Sequence, residues 1–198
     1  MPTDNRSFKV ILIRVATFVV SFVLISLISM FLWIAFTPRF PSFQVTSVTV
    51  ISLSTNTAAE LTATFDVDVI LRNPNIVLSV WYESLDLALW FDRRNISSAP
   101  IQPLSFSTGA DTDTPLRARF TILRRTFPSG VTSGIASQRR FLGSVDFGVK
   151  FLARLRFKFG IARTTVRALT VDCYPLRVVF PPNNDTGRLV APSDCYRV

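Results

Sequence analysis

Asp66 and Asp68 stand two residues apart, so an extended strand would carry both carboxylates on one face. Two carboxylates placed about a sugar can hydrolyse a glycosidic bond. Two solvent-facing acids produce the same spacing, and nothing in the sequence marks a pocket around them, so the plainer reading is preferred. The chain has no histidine. That removes the usual general base of a catalytic triad and the commonest metal ligand. Cys173 and Cys195 are too few for a zinc site without further ligands, and no glycine-rich phosphate loop is present. The expectation is a protein that is not an enzyme and carries no cofactor or metal.

Charge offers a different chemistry. The 22 Lys and Arg against 13 Asp and Glu give a formal net charge of +9. Lys150, Arg154, Arg156 and Lys158 share one face of a long alternating stretch. Such a row could dock an anionic lipid surface or an acidic polysaccharide. Solvated alternation gives the same pattern whenever one strand face meets water, and that reading is favoured.

The element that positions everything else is Val15 to Phe36, VATFVVSFVLISLISMFLWIAF, with no charge, Pro or Gly. At about 1.5 Å per residue it reaches roughly 33 Å, enough to cross a hydrocarbon core of about 30 Å. The large residues Phe31 to Phe36 do not suit a signal-peptidase site, whereas Trp33 and Phe36 suit an interfacial aromatic belt. An uncleaved signal-anchor is expected. Arg6, Lys9 and Arg14 precede it, while Arg39 is the single basic residue between the span and Arg72. By the positive-inside rule the N-terminus stays in the cytoplasm and residues 37–198 are exported. Nucleic acid is therefore excluded as a partner. The exported part is the size of one domain.

The organisation read from the chain is a basic tail at 1–14, a span at 15–36, a Pro-containing stalk at 37–43 and one domain at 44–198. Gln44 to Ser52 forms a first strand. Glu60 to Arg72 alternates strictly, with Leu61, Ala63, Phe65, Val67, Val69 and Leu71 on one face, and ends at the Asn73-Pro74-Asn75 turn. Ile76 to Tyr82 and Leu85 to Phe91 follow as strands, then a polar loop at Asp92 to Pro100. Ile101 to Ser107 is an edge strand broken by Pro103. Pro115 to Leu123 alternates again, and Arg124 to Arg140 reads as a loop with at most one helical turn. Val145 to Phe159 is long enough to need a bulge, placed near Gly148. Thr164 to Cys173 and Tyr174 to Phe180 complete an antiparallel β-sandwich, and no amphipathic helix is expected after the span.

On the exported side an oxidising environment allows a Cys173–Cys195 disulfide. The sequons at Asn95 and Asn184 lie there too and could carry glycans, whereas the one at Asn5 would face the cytoplasm and stay bare.

Several of these features occur together in one family. A basic tail, one span, a Pro-containing stalk, a strand ending Leu71-Arg72-Asn73-Pro74-Asn75, and a terminal Val171-Asp172-Cys173 … Asp194-Cys195-Tyr196-Arg197-Val198 resemble the late embryogenesis abundant type-2 family. These are the harpin-induced-like (NHL) plant membrane proteins related to non-race-specific disease resistance. The resemblance implies an immunoglobulin-like or fibronectin-like sandwich, residence in the plasma membrane, and a role in pathogen response, stress or membrane–wall adhesion. It carries no catalytic residues. Trp81-Tyr82 takes the place of a Tyr common after the Asn-Pro-Asn turn, and the family's Asn-Gly-Asp adhesion motif is absent. The function expected is binding or tethering outside the cytoplasm, with the lipid bilayer and anionic lipid, cell-wall polysaccharide or another membrane protein as the partners. The alternative is lipid handling, in which Phe-rich strand faces line a cleft for an acyl chain.

Overall fold

A computed structural model of the chain describes residues 5–56, 59–182 and 184–198. It divides into two compact units, one ending at Pro38 and the other running Arg39–Val198. In the first, helix α1 (Asn5–Phe36) starts ten residues before the expected span. The tail, from Asn5 onward, is therefore helical rather than unstructured; the first four residues lie outside the described set. The reason is that Phe8 and Val10 to Ile13 continue the apolar run around Lys9 and Arg14. The apolar stretch Phe8–Phe36 is exposed apart from Ala35, and it is long and apolar enough to cross a membrane. Long basic side chains at such a helix end can reach back to the interface. The last turn closes where the Thr37 N–H donates to the Trp33 carbonyl at 3.0 Å, and Pro38 cannot extend it.

The second unit is the expected antiparallel β-sandwich. Its elements are β1 (Ser42–Thr55), β2 (Glu60–Asn73), β3 (Ser79–Phe91), β4 (Arg94–Pro100), β5 (Phe106–Thr108), β6 (Thr112–Thr126), α2 (Ser129–Leu142), β7 (Ser144–Phe159), β8 (Ala162–Arg163), β9 (Arg167–Val179), β10 (Gly187–Leu189), β11 (Ser193–Asp194) and β12 (Tyr196–Arg197). The main path runs β4-β3-β7-β9-β10-β1-β2-β6. One layer is β4-β3-β7-β9 and the other is β1-β2-β6. Between them, among the described residues, β9 and β1 are bridged by three short strands near the C-terminus. β10 pairs with both, β11 pairs with β1, and β12 pairs with β9.

The core lies between the layers. Every second residue of β2 from Leu61 to Leu71 is buried, as strict alternation requires. Rings from opposite layers meet there: Phe65 with Phe147 at 5.1 Å between centroids, and Phe43 with Phe151 at 4.8 Å. The bulge expected near Gly148 is present, as a register shift between Phe147 and Val149. A Cβ on Gly148 would lie 2.1 Å from the Trp90 ring, which crosses that point to stack on Tyr174 at 4.8 Å.

Four expectations give way. The stalk is shorter than 37–43, because Phe43 is buried in β1 and the Arg39 backbone is already bonded to Asn75. The polar loop at 92–100 is largely strand β4, reached through a two-residue turn in which Asp92 and Arg93 both take positive φ, 46° and 62°. The edge strand at 101–107 shrinks to β5, since Pro103 and its neighbours leave the ladder. Finally, 129–142 is the helix α2. Val131 and Ile135 are buried one turn apart, and Gly143 closes the C-terminus with φ 65° as its N–H donates to the Arg139 carbonyl.

Candidate binding surface

The four cations of the basic row all lie on β7 and point away from the core, as alternation requires. The neighbouring strands meet three of them. Lys150 stands opposite Asp172 on β9, with Nζ 3.5 Å from Oδ1. Arg156 donates through Nε to Glu83 Oε1 at 2.6 Å, and its Nη2 reaches the same oxygen. Glu83 is available because a bulge between Tyr82 and Ser84 turns two successive residues of β3 outward. Lys158 Nζ lies 3.8 Å from the Trp81 ring centroid. Arg154 faces Ser84 and Ala168 and is exposed; among the described residues it alone of the four has no carboxylate or ring partner. The row is thus an ion-paired strand face with one free guanidinium, not four unshielded charges. The sequence could show the cations but not the bulge that brings Glu83 to them.

The carboxylates considered for hydrolysis are similarly engaged. Asp66 and Asp68 stand opposite Arg119 and Arg117 of β6, with Nε–Oδ1 distances of 2.5 and 2.6 Å. Those exposed arginines are held above their ordinary pKa, first by the hydrogen bond and then by the charge of each partner. This is a solvent-facing ladder of ion pairs.

Cys173 and Cys195 are joined. Cys173 is fully buried in β9, and Cys195 sits between β11 and β12, its N–H donating to the Phe43 carbonyl at 3.0 Å. The crosslink therefore fastens the terminal segment across the gap between β1 and β9. Asn95 is exposed on edge strand β4, opposite Trp90. Asn184 is exposed in a turn where its Oδ1 accepts from the Thr186 N–H at 2.9 Å. Asn5 begins α1.

Two asparagines that read as a turn in the sequence do structural work. Asn73 and Asn75 are buried. Asn73 Nδ2 donates to the carbonyls of Leu78 (2.8 Å) and Gly109 (2.6 Å). Asn75 exchanges two 2.7 Å bonds with the Arg39 backbone, and its carbonyl accepts from the Asp111 N–H. Together they lock the point of entry of the chain into the domain. Nearby, Tyr82 is fully buried and stacked on Phe106 at 4.7 Å. Burial pushes its phenol far above the ordinary value, offset in part by the Thr108 hydroxyl.

Depressions of about 410 and 500 Å³ mark the surface. The first lies along the seam at Gln44, Arg72, Asp113 and Asp194, and the second beside α2 at Arg139, Arg140 and Phe180. Arg139 is already committed, donating to the Leu53 carbonyl and to Asp185. The phenylalanine rings that could have lined an acyl cleft instead fill the interior against one another.

Comparison with known proteins bears on this combination of apolar helix, sandwich and crosslink. NDR1/HIN1-like protein 6 of Arabidopsis thaliana is 22% identical over 130 residues, 65% of this chain and 50% of that protein. NDR1/HIN1-like protein 10 of the same plant is 24% identical over 165 residues, 83% of this chain and 72% of that protein. The chain resembles the NDR1/HIN1-like family. It spans about half the length of the first of these NDR1/HIN1-like proteins. No family model matches. Among solved structures, one of a protein from Archaeoglobus fulgidus covers 65% of this chain and 93% of its own, with 8% identity and a TM-score of 0.32.

Proposed function

We propose that the chain is a single-span plasma-membrane protein whose sandwich lies outside the cell and acts without catalysis, binding or tethering an acidic partner in plant defence or stress response. One observation carries this reading: a disulfide-closed domain begins immediately after a helix of membrane-spanning composition. Thiols stay reduced in the cytosol, so a structural disulfide favours the exported side. The likeness to two NDR1/HIN1-like proteins supports the resemblance from which the setting of defence and stress is taken. The exported part also holds seven of the nine net positive charges, which favours an acidic polymer or membrane surface over a neutral one.

The test is retention of the full chain, in nanodiscs of neutral lipid, on immobilised polygalacturonate. Retention that falls steeply with salt supports the reading, because the Debye length shrinks from about 10 Å at 0.1 M to about 3 Å at 1 M. Passage through the column at low salt contradicts a charge-selected wall partner. The alternative of an acyl cleft within the sandwich would need the Phe-rich faces to part, whereas Phe65 and Phe43 pack on Phe147 and Phe151 across the interior.

A further inference from the structure

The hairpin between β7 and β8 has the makings of a membrane contact. Its tip, Phe159-Gly160-Ile161-Ala162, is apolar, with Ile161 fully exposed and Phe159 half exposed. Gly160 takes φ 54° at the first central position of the two-residue turn, which fixes the tip tightly. Below the tip, the Phe157 and Thr164 backbones and the Thr164 hydroxyl tie the two arms together at 3.0 Å. The tip is thus tied at its base, and its isoleucine covers nothing in the protein.

Directly behind the tip, Lys158 and Arg163 stand opposite each other in the ladder. Like charges facing across a strand pair are unfavourable in water. Arg167 and Arg197 lie close by, their guanidinium carbons 5.9 and 4.9 Å from the Phe40 ring. An apolar tip with a collar of cations matches the order of layers at a bilayer surface, acyl chains beneath anionic headgroups.

Connectivity settles toward which end of the domain this tip points. Strand β1 leads away from the entry of the chain at Arg39. β1 is antiparallel to β10, β10 to β9, and β9 to β7, so β7 runs back toward the entry. The Phe40 and Phe157 rings are 6.0 Å apart, which puts Phe157 level with the entry. Gly160 then projects about 10 Å beyond it, at roughly 3.3 Å per residue. From the last helical hydrogen bond at Thr37 to the first domain bond at Arg39 there are two residues, at most about 7 Å of chain. Where α1 crosses a membrane, a link this short keeps the entry of the chain near the membrane surface, and the tip lies at the same end of the domain as the entry.

We infer that Ile161 and Phe159 insert into the outer leaflet of the same membrane that α1 crosses, with Lys158 and Arg163 on its anionic headgroups. The hairpin is then a second anchor that fixes the tilt of the sandwich. This rests on the reading of α1 as a span, so the test probes both.

Among the described residues both native cysteines are in the disulfide, so one introduced cysteine can carry a nitroxide. Ile161→Cys is made in the full chain and reconstituted in vesicles of phosphatidylcholine with phosphatidylserine. Val23→Cys marks the centre of α1, and Leu123→Cys marks an exposed site toward the far end of β6. The expected result is that the label at 161, like that at 23, is relaxed more by oxygen than by an aqueous nickel chelate, with the order reversed at 123. A label at 161 as open to nickel as the one at 123, while 23 stays deep, overturns the hairpin anchor and leaves the span intact. A label at 23 that meets nickel overturns the span itself. Protection at 161 that fades as the protein is diluted in lipid would mean a second copy covers the tip, which also overturns the inference.

Discussion

Opening the Cys173–Cys195 bond should loosen the sandwich along one seam. The crosslink closes a loop with a sequence separation of 22, and constraint of the unfolded chain over such a loop is worth roughly 3 kcal/mol. For a domain of this size each kcal/mol moves the thermal midpoint by about 2–4 °C, so reduction should lower it by about 6–12 °C. The loss has a place in the structure. Among the described residues, the strand pairs left between β9 and β1 are those of the short β10, of β11 (Gln44 with Asp194, Val45 with Ser193) and of β12 (Asp172 with Tyr196, Val171 with Arg197). The assay is thermal unfolding of the full chain in nanodiscs, followed by near-ultraviolet circular dichroism from the Trp90–Tyr174 stack, with and without reductant. Hydrogen exchange should show the Cys195 and Val198 amides released first, since their bonds to Phe43 and Thr170 depend on the tail. An unchanged midpoint with both amides still protected would refute the view that the crosslink holds the seam.

Three further outcomes follow from single side chains. Tyr82→Phe should leave neutral stability nearly unchanged and make the domain more resistant to alkali. The folded phenol titrates above its unfolded value, so its contribution is complete below about pH 10 and is lost at about 1.4 kcal/mol per pH unit above it; urea titrations at pH 8 and pH 11 would show equal alkaline losses in both proteins if this is wrong. Gly148→Ala should cost about 1–3 kcal/mol and weaken the near-ultraviolet signal, because a methyl there meets the Trp90 ring. Arg156→Glu should destabilise by about 1 kcal/mol by facing Glu83, whereas Arg154→Glu should stay within about 0.5 kcal/mol; equal effects in denaturant midpoints would mean the Glu83 contact contributes nothing.

What could be read in advance depended on how local the signal was. β2 was legible because Leu61 to Leu71 alternate with a period of two, Ile70 excepted, and one face is buried. The bulge at Gly148 was legible because fifteen alternating residues cannot twist against two neighbours without a break. β4 was hidden because its turn is made by Asp92 and Arg93 rather than by an Asn-Gly or Gly pair, so the segment looked like loop. α2 was hidden because its buried stripe amounts to Val131, Thr132 and Ile135, set among Ser, Gly and Arg. For the surface, cations were visible and their partners were not. Glu83 reaches Arg156 only through a bulge, and Asp172 reaches Lys150 only through strand pairing. The burial of Asn73 and Asn75 is likewise tertiary, since their acceptors and donors lie at Arg39, Leu78 and positions 109–111.

The most direct test of the account is the side of the membrane on which the sandwich resides. With the full chain made in the presence of microsomes or in plant cells, glycosidase treatment should increase gel mobility, and the shift should vanish in Asn95→Gln/Asn184→Gln. Protease added outside intact cells should then remove the domain while the N-terminal segment survives. A domain that carries no glycan, keeps two free thiols and is digested only after the membrane is opened would contradict the account.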